Sequence, residues 1–335
     1  MTATDIKSAV SGIKAAEWNW LPRLPIEYSP LFVWPPHPVL VVRWFFRTWL
    51  PLSDKVIFVL LAVVSWLFFH PALEQCEAFE FGWFAQIYIR NMGLMFLVAG
   101  GLHLYFYTFG KQGSDHRYDS RDIAGDGRRF TWGDQVWDNM SWSCLSGVAV
   151  WTAYEALMMW SFANGYLDYL NWRENVVWFG LCFLLTPIWS ATHFYLAHRL
   201  LHWRPLYEVA HALHHRNSNI GPWSGLSMHP IEHSLYLSSV LVFFLVPAHP
   251  IHILFFLNFL TLGAATSHTG YQKLLIRGDW GLGLGDYFHQ LHHRYFECNY
   301  GNVDMPWDDW VGSAHDGTSE ATRRLRESRR QGFAG

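Results

Sequence analysis

The stretch NVVWFGLCFLLTPIWSATHFYLAHRLLHWRPLYEVAHALHH, residues 175–215, decides the fold class of this chain. Residues 175–197 are almost free of charge, and a helix needs about 20 such residues to cross the hydrocarbon core of a bilayer. HRLLH (198–202) and HALHH (211–215) follow directly. On a helix, histidines spaced by three or four residues share one face. A membrane span that leads into clustered imidazoles therefore predicts a helical membrane protein with a metal site at the membrane surface.

The composition of the whole chain agrees with a membrane protein. Of the 335 residues, 51% are hydrophobic and only 15% are charged, against about 25% charged in an average soluble domain. Aromatic residues make up 18%, which suits the aromatic belts at membrane interfaces. A soluble enzyme and a disordered chain are excluded. The net charge of −3 gives no basic field for nucleic acid, and four scattered cysteines predict neither disulfides nor a thiolate zinc site.

Hydropathy predicts four membrane spans, at residues 54–70, 92–110, 142–163 and 175–197. A fifth apolar stretch, 234–262, contains Pro247 and Pro250, which interrupt a straight helix and predict a hairpin. We expect an all-α integral membrane protein with about four transmembrane helices, a Pro-broken re-entrant or membrane hairpin, and a cytoplasmic histidine-rich helical cap.

The distribution of basic residues predicts the orientation. Loops 111–130 and 199–216 are rich in lysine and arginine, whereas loop 164–174 contains one arginine. The excess of positive charge marks the cytoplasmic side, so we expect an integral membrane protein with its N-terminus and active site on that side. The predicted regions are a cytoplasmic or interfacial segment (1–53), the transmembrane helices (54–197), a histidine-box catalytic region that includes hairpin 234–262 (198–313), and a polar C-terminal tail (314–335).

Histidine is concentrated in one part of the sequence, since fourteen of the nineteen histidines lie between His193 and His293. Neutral imidazole suits iron, zinc, copper or nickel, whereas magnesium and calcium prefer oxygen ligands. The set is too large for one ion, so two metals with open positions are predicted. The candidate metal ligands are His198, His202, His211, His214, His215, His229, His233, His268, His289, His292 and His293.

Other polar residues near these boxes have two possible roles. His233 is either a ligand or a group that supports one, and His249 and His252 are assigned to the turn of the hairpin. Glu232 and Asp286 are the predicted catalytic carboxylates, because metal-bound histidine donates its second ring N–H to such an acceptor. Their alternative is an ordinary surface or salt-bridged acid.

The ordered boxes HRLLH (198–202), HALHH (211–215), HPIE (229–232), HTGY (268–271) and HQLHH (289–293), followed by NYGN and WDDWVGS within 299–313, resemble the fatty acid hydroxylase/sterol desaturase superfamily. The resemblance implies a membrane di-iron oxygenase that uses O₂ and two electrons to attack an unactivated C–H bond. It implies two iron ions, for which zinc can substitute, and a lipid or sterol-like substrate that enters from the bilayer.

The resemblance does not separate lipid hydroxylation from desaturation at the same site. Hydroxylation is favoured because the superfamily is broad in that reaction. The sequence has no haem-attachment motif or fused haem domain, so an external electron-donor protein, cytochrome b5-like or ferredoxin-like, is expected. Two other classes stay open: a metal transporter, which should carry its ionisable residues within the spans, and a membrane haem protein, for which His103 with His193 is the one candidate pair.

Overall fold

The computed structural model describes residues 18–50, 53–125 and 128–332. The first 17 residues of the predicted N-terminal segment, residues 51–52 and the last three residues of the predicted tail lie outside this range. The described helices are α1 (Pro38–Trp49), α2 (Asp54–Phe68), α3 (Phe81–Thr108), α4 (135–163), α5 (Val176–Leu201), α6 (204–215), α7 (Pro230–Leu237), α8 (Pro250–Ser267), α9 (Tyr287–Tyr295), α10 (Trp307–Val311) and α11 (Ser319–Gly332).

Shorter elements connect or interrupt these helices. Short 3₁₀ helices lie at Pro30–Phe32, Leu73–Cys76, Pro222–Leu226 and Ser238–Phe244. Wider π-helical turns lie within α3 at Phe96–Gly100 and Leu104–Thr108, within α4 at Ser143–Gly147, and within α6 at Tyr207–His211. Two strands, β1 (Lys273–Arg277) and β2 (Trp280–Gly283), form an antiparallel hairpin, which is a small departure from the predicted all-α class.

Three described helices, α3, α5 and α8, are long and apolar enough to cross a membrane. Helices α1 and α2, whose axes differ by 52°, add a fourth span if they act as one. The structure therefore supports a mostly helical membrane protein. The predicted spans at 54–70 and 175–197 correspond closely to α2 and α5, and α5 continues to Leu201 so that the first histidine box begins inside it.

Of the other two predicted spans, 92–110 begins later than the helix that contains it, and 142–163 is not confirmed as a span. Helix α3 begins at Phe81, well before residue 92, and includes Arg90, which pairs with the fully buried Glu155 of α4. A charge within a span is tolerated when a buried partner neutralises it. The predicted span 142–163 lies in α4, which is helical but is not among the three helices apolar enough to count as spans.

Helix α8 is the centre of the fold. Apolar residues cover its whole circumference, and Phe255, Phe256 and Leu257 are almost completely buried, as expected for a helix surrounded by protein. Before it, the chain turns at residues 245–249, and Pro250 occupies its first turn, where proline costs no hydrogen bond. The predicted hairpin at 234–262 is thus built from α7, a 3₁₀ helix and α8, and α8 ends directly before His268.

Candidate metal centre

Four elements bring nine histidines together: the end of α5, the helix α6, the residue that follows α8, and α9. These histidines form two groups, and within each group one ligand atom per side chain lies within 4.8 Å of all the others. The five-histidine group contains His198, His202, His211, His215 and His292. The four-histidine group contains His214, His268, His289 and His293.

Each HxxHH box contributes to both groups. In α6, His211 and His215 belong to the five-histidine group and His214 to the other; in α9, His289 and His293 belong to the four-histidine group and His292 to the other. With 3.6 residues per turn, the residues at i+3 and i+4 lie on opposite sides of residue i, about 100° apart around the helix axis. Two short helices can therefore supply ligands to two adjacent sites.

Backbone carbonyls fix the orientation of several rings. Nδ1 of His198 lies 2.7 Å from the carbonyl oxygen of Tyr300, and Nδ1 of His292 lies 2.6 Å from that of Cys298. A carbonyl oxygen only accepts, so Nδ1 is the donor in both rings. In the neutral ring, Nε2 then carries an unprotonated lone pair. His268 is held in the same way by the carbonyl of Ala264, at 2.9 Å.

The free nitrogens face each other at short distances. Nε2 of His198 lies 3.0 Å from Nε2 of His211, and Nε2 of His292 lies 3.0 and 3.2 Å from Nε2 of His215 and His202. In the four-histidine group, Nε2 of His268 lies 3.1 Å from that of His293. Lone pairs that converge in this way repel unless a proton or a cation lies between them. The donor set therefore fits a bound metal ion in each group.

Burial keeps these rings neutral. It lowers the pKa of His214 to about 4 and that of His268 to about 3. Burial, with the neighbouring imidazoles as a further cause, holds the pKa values of His211, His215, His289, His292 and His293 well below the usual range. Neutral imidazole is the form that binds metal. Because both groups consist of nitrogen donors alone, they suit iron, zinc, copper or nickel rather than magnesium or calcium.

The two predicted carboxylates occupy different positions. An oxygen of Glu232 lies 2.8 Å from Nδ1 of His211, and Glu232 is almost completely buried. This is the arrangement of a carboxylate that orients a metal-binding histidine. Asp286 instead caps α9, where its Oδ1 accepts the backbone N–H groups of Phe288 and His289, and burial raises its pKa to about 6.

Two candidate ligands lie outside both groups. Nδ1 of His229 accepts the backbone N–H of Ile231 at 3.2 Å, so this residue caps α7. Nδ1 of His233 lies 2.9 Å from the hydroxyl oxygen of Ser146, and its Nε2 lies 3.0 Å from the carbonyl oxygen of Leu226. The structure thus brings together nine of the eleven candidate ligands.

The remaining histidines near the boxes have local partners. His249 caps α8, and Nδ1 of His252 accepts the backbone N–H of His249 at 3.0 Å. His193 lies 3.1 Å from the hydroxyl oxygen of Ser238. Sequence reasoning missed the carbonyls of Tyr300 and Cys298, because a backbone acceptor leaves no signal in residue identity.

A cavity of about 540 Å³ opens beside both groups, within the usual size of a small-molecule site. His198 and His211 of the five-histidine group line it, together with His214, His268 and His289 of the other group. Its apolar wall includes Phe194, Tyr236 and Phe259, and its lining also includes the charged residues Arg47, Lys55 and Asp304. An apolar molecule with a polar end fits such a cavity.

Part of this chain is similar to a known protein family. The sequence model of the fatty acid hydroxylase family matches residues 181–313, which contain every histidine of both groups. No solved structure matches the chain.

Several curated proteins are similar to this chain. A putative Delta(7)-sterol-C5(6)-desaturase of Arabidopsis thaliana is 30% identical over 161 residues, 45% of this chain and 53% of that protein. The Delta(7)-sterol 5(6)-desaturase of Saccharomyces cerevisiae is 32% identical over 120 residues, 36% of this chain and 32% of that protein. A methylsterol monooxygenase of Aspergillus fumigatus is 30% identical over 158 residues, which are 42% of this chain and 49% of that protein. The matches span about a third to a half of the length of these relatives.

Proposed function

Because this chain belongs to the fatty acid hydroxylase/sterol desaturase superfamily, we propose that it is an O₂-dependent membrane oxidoreductase. It holds two iron ions and hydroxylates an unactivated C–H bond of a lipid or sterol-like substrate. The observation that carries this proposal is the pair of histidine groups, whose unprotonated nitrogens converge beside an apolar cavity.

The five-histidine group and the four-histidine group would each hold one iron ion, and the bound iron supplies the activation of O₂. The residues of the chain would orient the metal-binding rings and keep water away from the substrate. The carbonyls of Tyr300 and Cys298 keep Nε2 of His198 and His292 available, and Glu232 holds the ring of His211. Phe194 and Tyr236 line the cavity, and their rings would exclude water from the wall where the substrate would lie.

The substrate class follows from the cavity and from the names of the relatives. An apolar chain or ring system suits the apolar wall, and a polar group suits the part of the lining that contains Lys55 and Asp304. Two of the compared relatives are named as sterol desaturases and one as a methylsterol monooxygenase. On those grounds we propose a lipid or sterol-like substrate for this chain. We further propose that the active site lies on the cytoplasmic side and that an external donor protein supplies the electrons.

Desaturation is the second candidate, and the names of the desaturase relatives favour it. In hydroxylation, a C–H bond, O₂, two electrons and two protons give C–OH and one water. In desaturation, two C–H bonds on adjacent carbons, with the same O₂, electrons and protons, give C=C and two waters. The two reactions therefore leave products of different mass.

Lipid extracts of cells with and without the protein test the proposal by mass spectrometry. Hydroxylation predicts a lipid that has gained one oxygen atom, and labelled O₂ should supply that atom. A lipid that has lost two hydrogen atoms instead identifies the desaturase. Cells with equal amounts of a His292→Ala variant serve as the control. An unchanged lipid profile with purified, iron-loaded protein and reductant would exclude both reactions.

A further inference from the structure

One of the nine grouped histidines reaches the surface of the described structure. His202 is half-buried, whereas the other eight are buried. His202 does not line the cavity, and neither do its neighbours His215 and His292. The five-histidine group thus has one side toward the substrate cavity and another toward the surface at His202.

The surface around His202 combines an apolar centre with arginines. Trp203 follows His202 directly and is 63% exposed, and the ring of Tyr300 lies 4.8 Å from that of His202. The guanidinium of Arg199 lies 4.3 Å from the centre of the Tyr300 ring. The side chain of Arg204 is 88% exposed. Exposed aromatic residues within a polar rim are typical of protein interfaces.

Helix α11 extends this positive charge. Arg329 pairs with Glu297 at 2.7 Å, and the neighbouring ring of Phe296 lies 4.9 Å from that of His215. We call Arg199, Trp203, Arg204, Glu208, residues 295–298 and α11 the basic face. It contains seven arginines and four glutamates, although the net charge of the chain is −3.

We propose that the basic face docks an acidic one-electron carrier protein, which delivers electrons to the metal centre beside His202. This inference rests on the proposed function, in which each turnover consumes two electrons. Two reduced carriers each give up one electron and leave oxidised. Tunnelling rates fall exponentially with distance, so a donor gains most by docking at His202, the one histidine of the two groups that is not fully buried. Substrate and electrons then reach the metals from different sides.

Charge neutralisation tests this surface. The full chain in nanodiscs of phosphatidylcholine is titrated with a plant-type [2Fe–2S] ferredoxin as the acidic probe, and binding is followed by biolayer interferometry. The triple variant Arg204→Gln, Arg323→Gln, Arg324→Gln should weaken binding about tenfold at low salt, because three exposed charges are lost. The difference should shrink at high salt, where screening weakens exposed pairs.

A matched triple variant, Lys111→Gln, Arg128→Gln, Arg277→Gln, removes the same charge outside the basic face and should change the Kd by less than about twofold. Equal weakening by both triples would overturn the proposal. It would also be overturned if the first triple bound ferredoxin normally but lost binding to phosphatidylserine vesicles, because the face would then serve an anionic membrane.

Turnover with dithionite separates this proposal from the proposed function. If dithionite drives product formation and the first triple binds ferredoxin like the wild type, the docking surface is wrong and the function stands. If dithionite gives no product from iron-loaded protein while ferredoxin binding follows the arginines, the docking surface stands and the function is wrong.

Discussion

His292 and His214 occupy corresponding places in the two groups, since each is the middle histidine of its HxxHH box. Loss of either ring removes a nitrogen from one group and leaves the other complete. We expect His292→Ala and His214→Ala each to bind about one metal ion fewer than the wild type and to lose turnover, because an ion that lacks a ligand is held weakly. Metal analysis of iron-loaded protein measures this. His193→Ala, outside both groups, is the control and should keep both ions; full metal content in His292→Ala would contradict the assignment.

Glu232 acts on the metal through His211 rather than directly, so its variant should behave differently. We expect Glu232→Gln to keep both metal ions, while turnover falls about 10- to 100-fold because the ring of His211 is oriented less firmly. Metal content and turnover, measured on the same folded sample, separate the two effects. Loss of one ion would instead show that the carboxylate is itself a ligand.

The sequence predicted the clustered histidines because their spacing places them on shared helical faces. The same reasoning cannot tell a ligand from a cap. His229 and His233 have the i, i+4 spacing of His198 and His202, yet His229 precedes the first residue of α7 and caps its N-terminus. The distinction depends on where a helix begins, and spacing does not specify that position.

At the scale of elements, the contact between α8 and the 3₁₀ helix Pro222–Leu226 positions the four-histidine group, because His268 follows α8 directly. A Cβ atom at Gly225 would lie 2.1 Å from the carbonyl oxygen of Ala264. We expect Gly225→Ala to destabilise the protein by about 3 kcal/mol, since two backbones must separate. Thermal unfolding in detergent measures this. Gly180→Ala in α5 is the matched control, as no atom lies within 4 Å of its Cβ position; equal melting temperatures would contradict this packing.

Hydropathy located α2 and α5 because their apolar residues are continuous. It placed the start of α3 too late, because Arg90 precedes residue 92 and pairs with Glu155 inside the protein, and it predicted a span in α4 that the structure does not confirm. Such a pair lowers the hydropathy of both segments but costs little once buried together with further polar partners. A single sequence does not reveal that pairing, since the two residues are 65 positions apart.

Across the whole molecule, the charged loops and the apolar helices predict one orientation in the membrane. Lysine and arginine are abundant in loop 111–130 and around the histidine boxes, whereas loop 164–174 has one arginine. If the positive side is cytoplasmic, the basic face lies where soluble electron carriers are found. Orientation is therefore a condition of both proposals.

Cysteine labelling of sealed cells tests the orientation. Lys111 and Asp168 are both exposed and lie in the two loops that differ in charge. A membrane-impermeant maleimide should label Asp168→Cys from outside and should label Lys111→Cys only after the membrane is opened. The native protein is the background control, since Cys76, Cys182 and Cys298 are buried and Cys144 is half-buried. The reverse pattern would place the metal centre outside the cytoplasm, and a cytoplasmic electron carrier could then not reach His202.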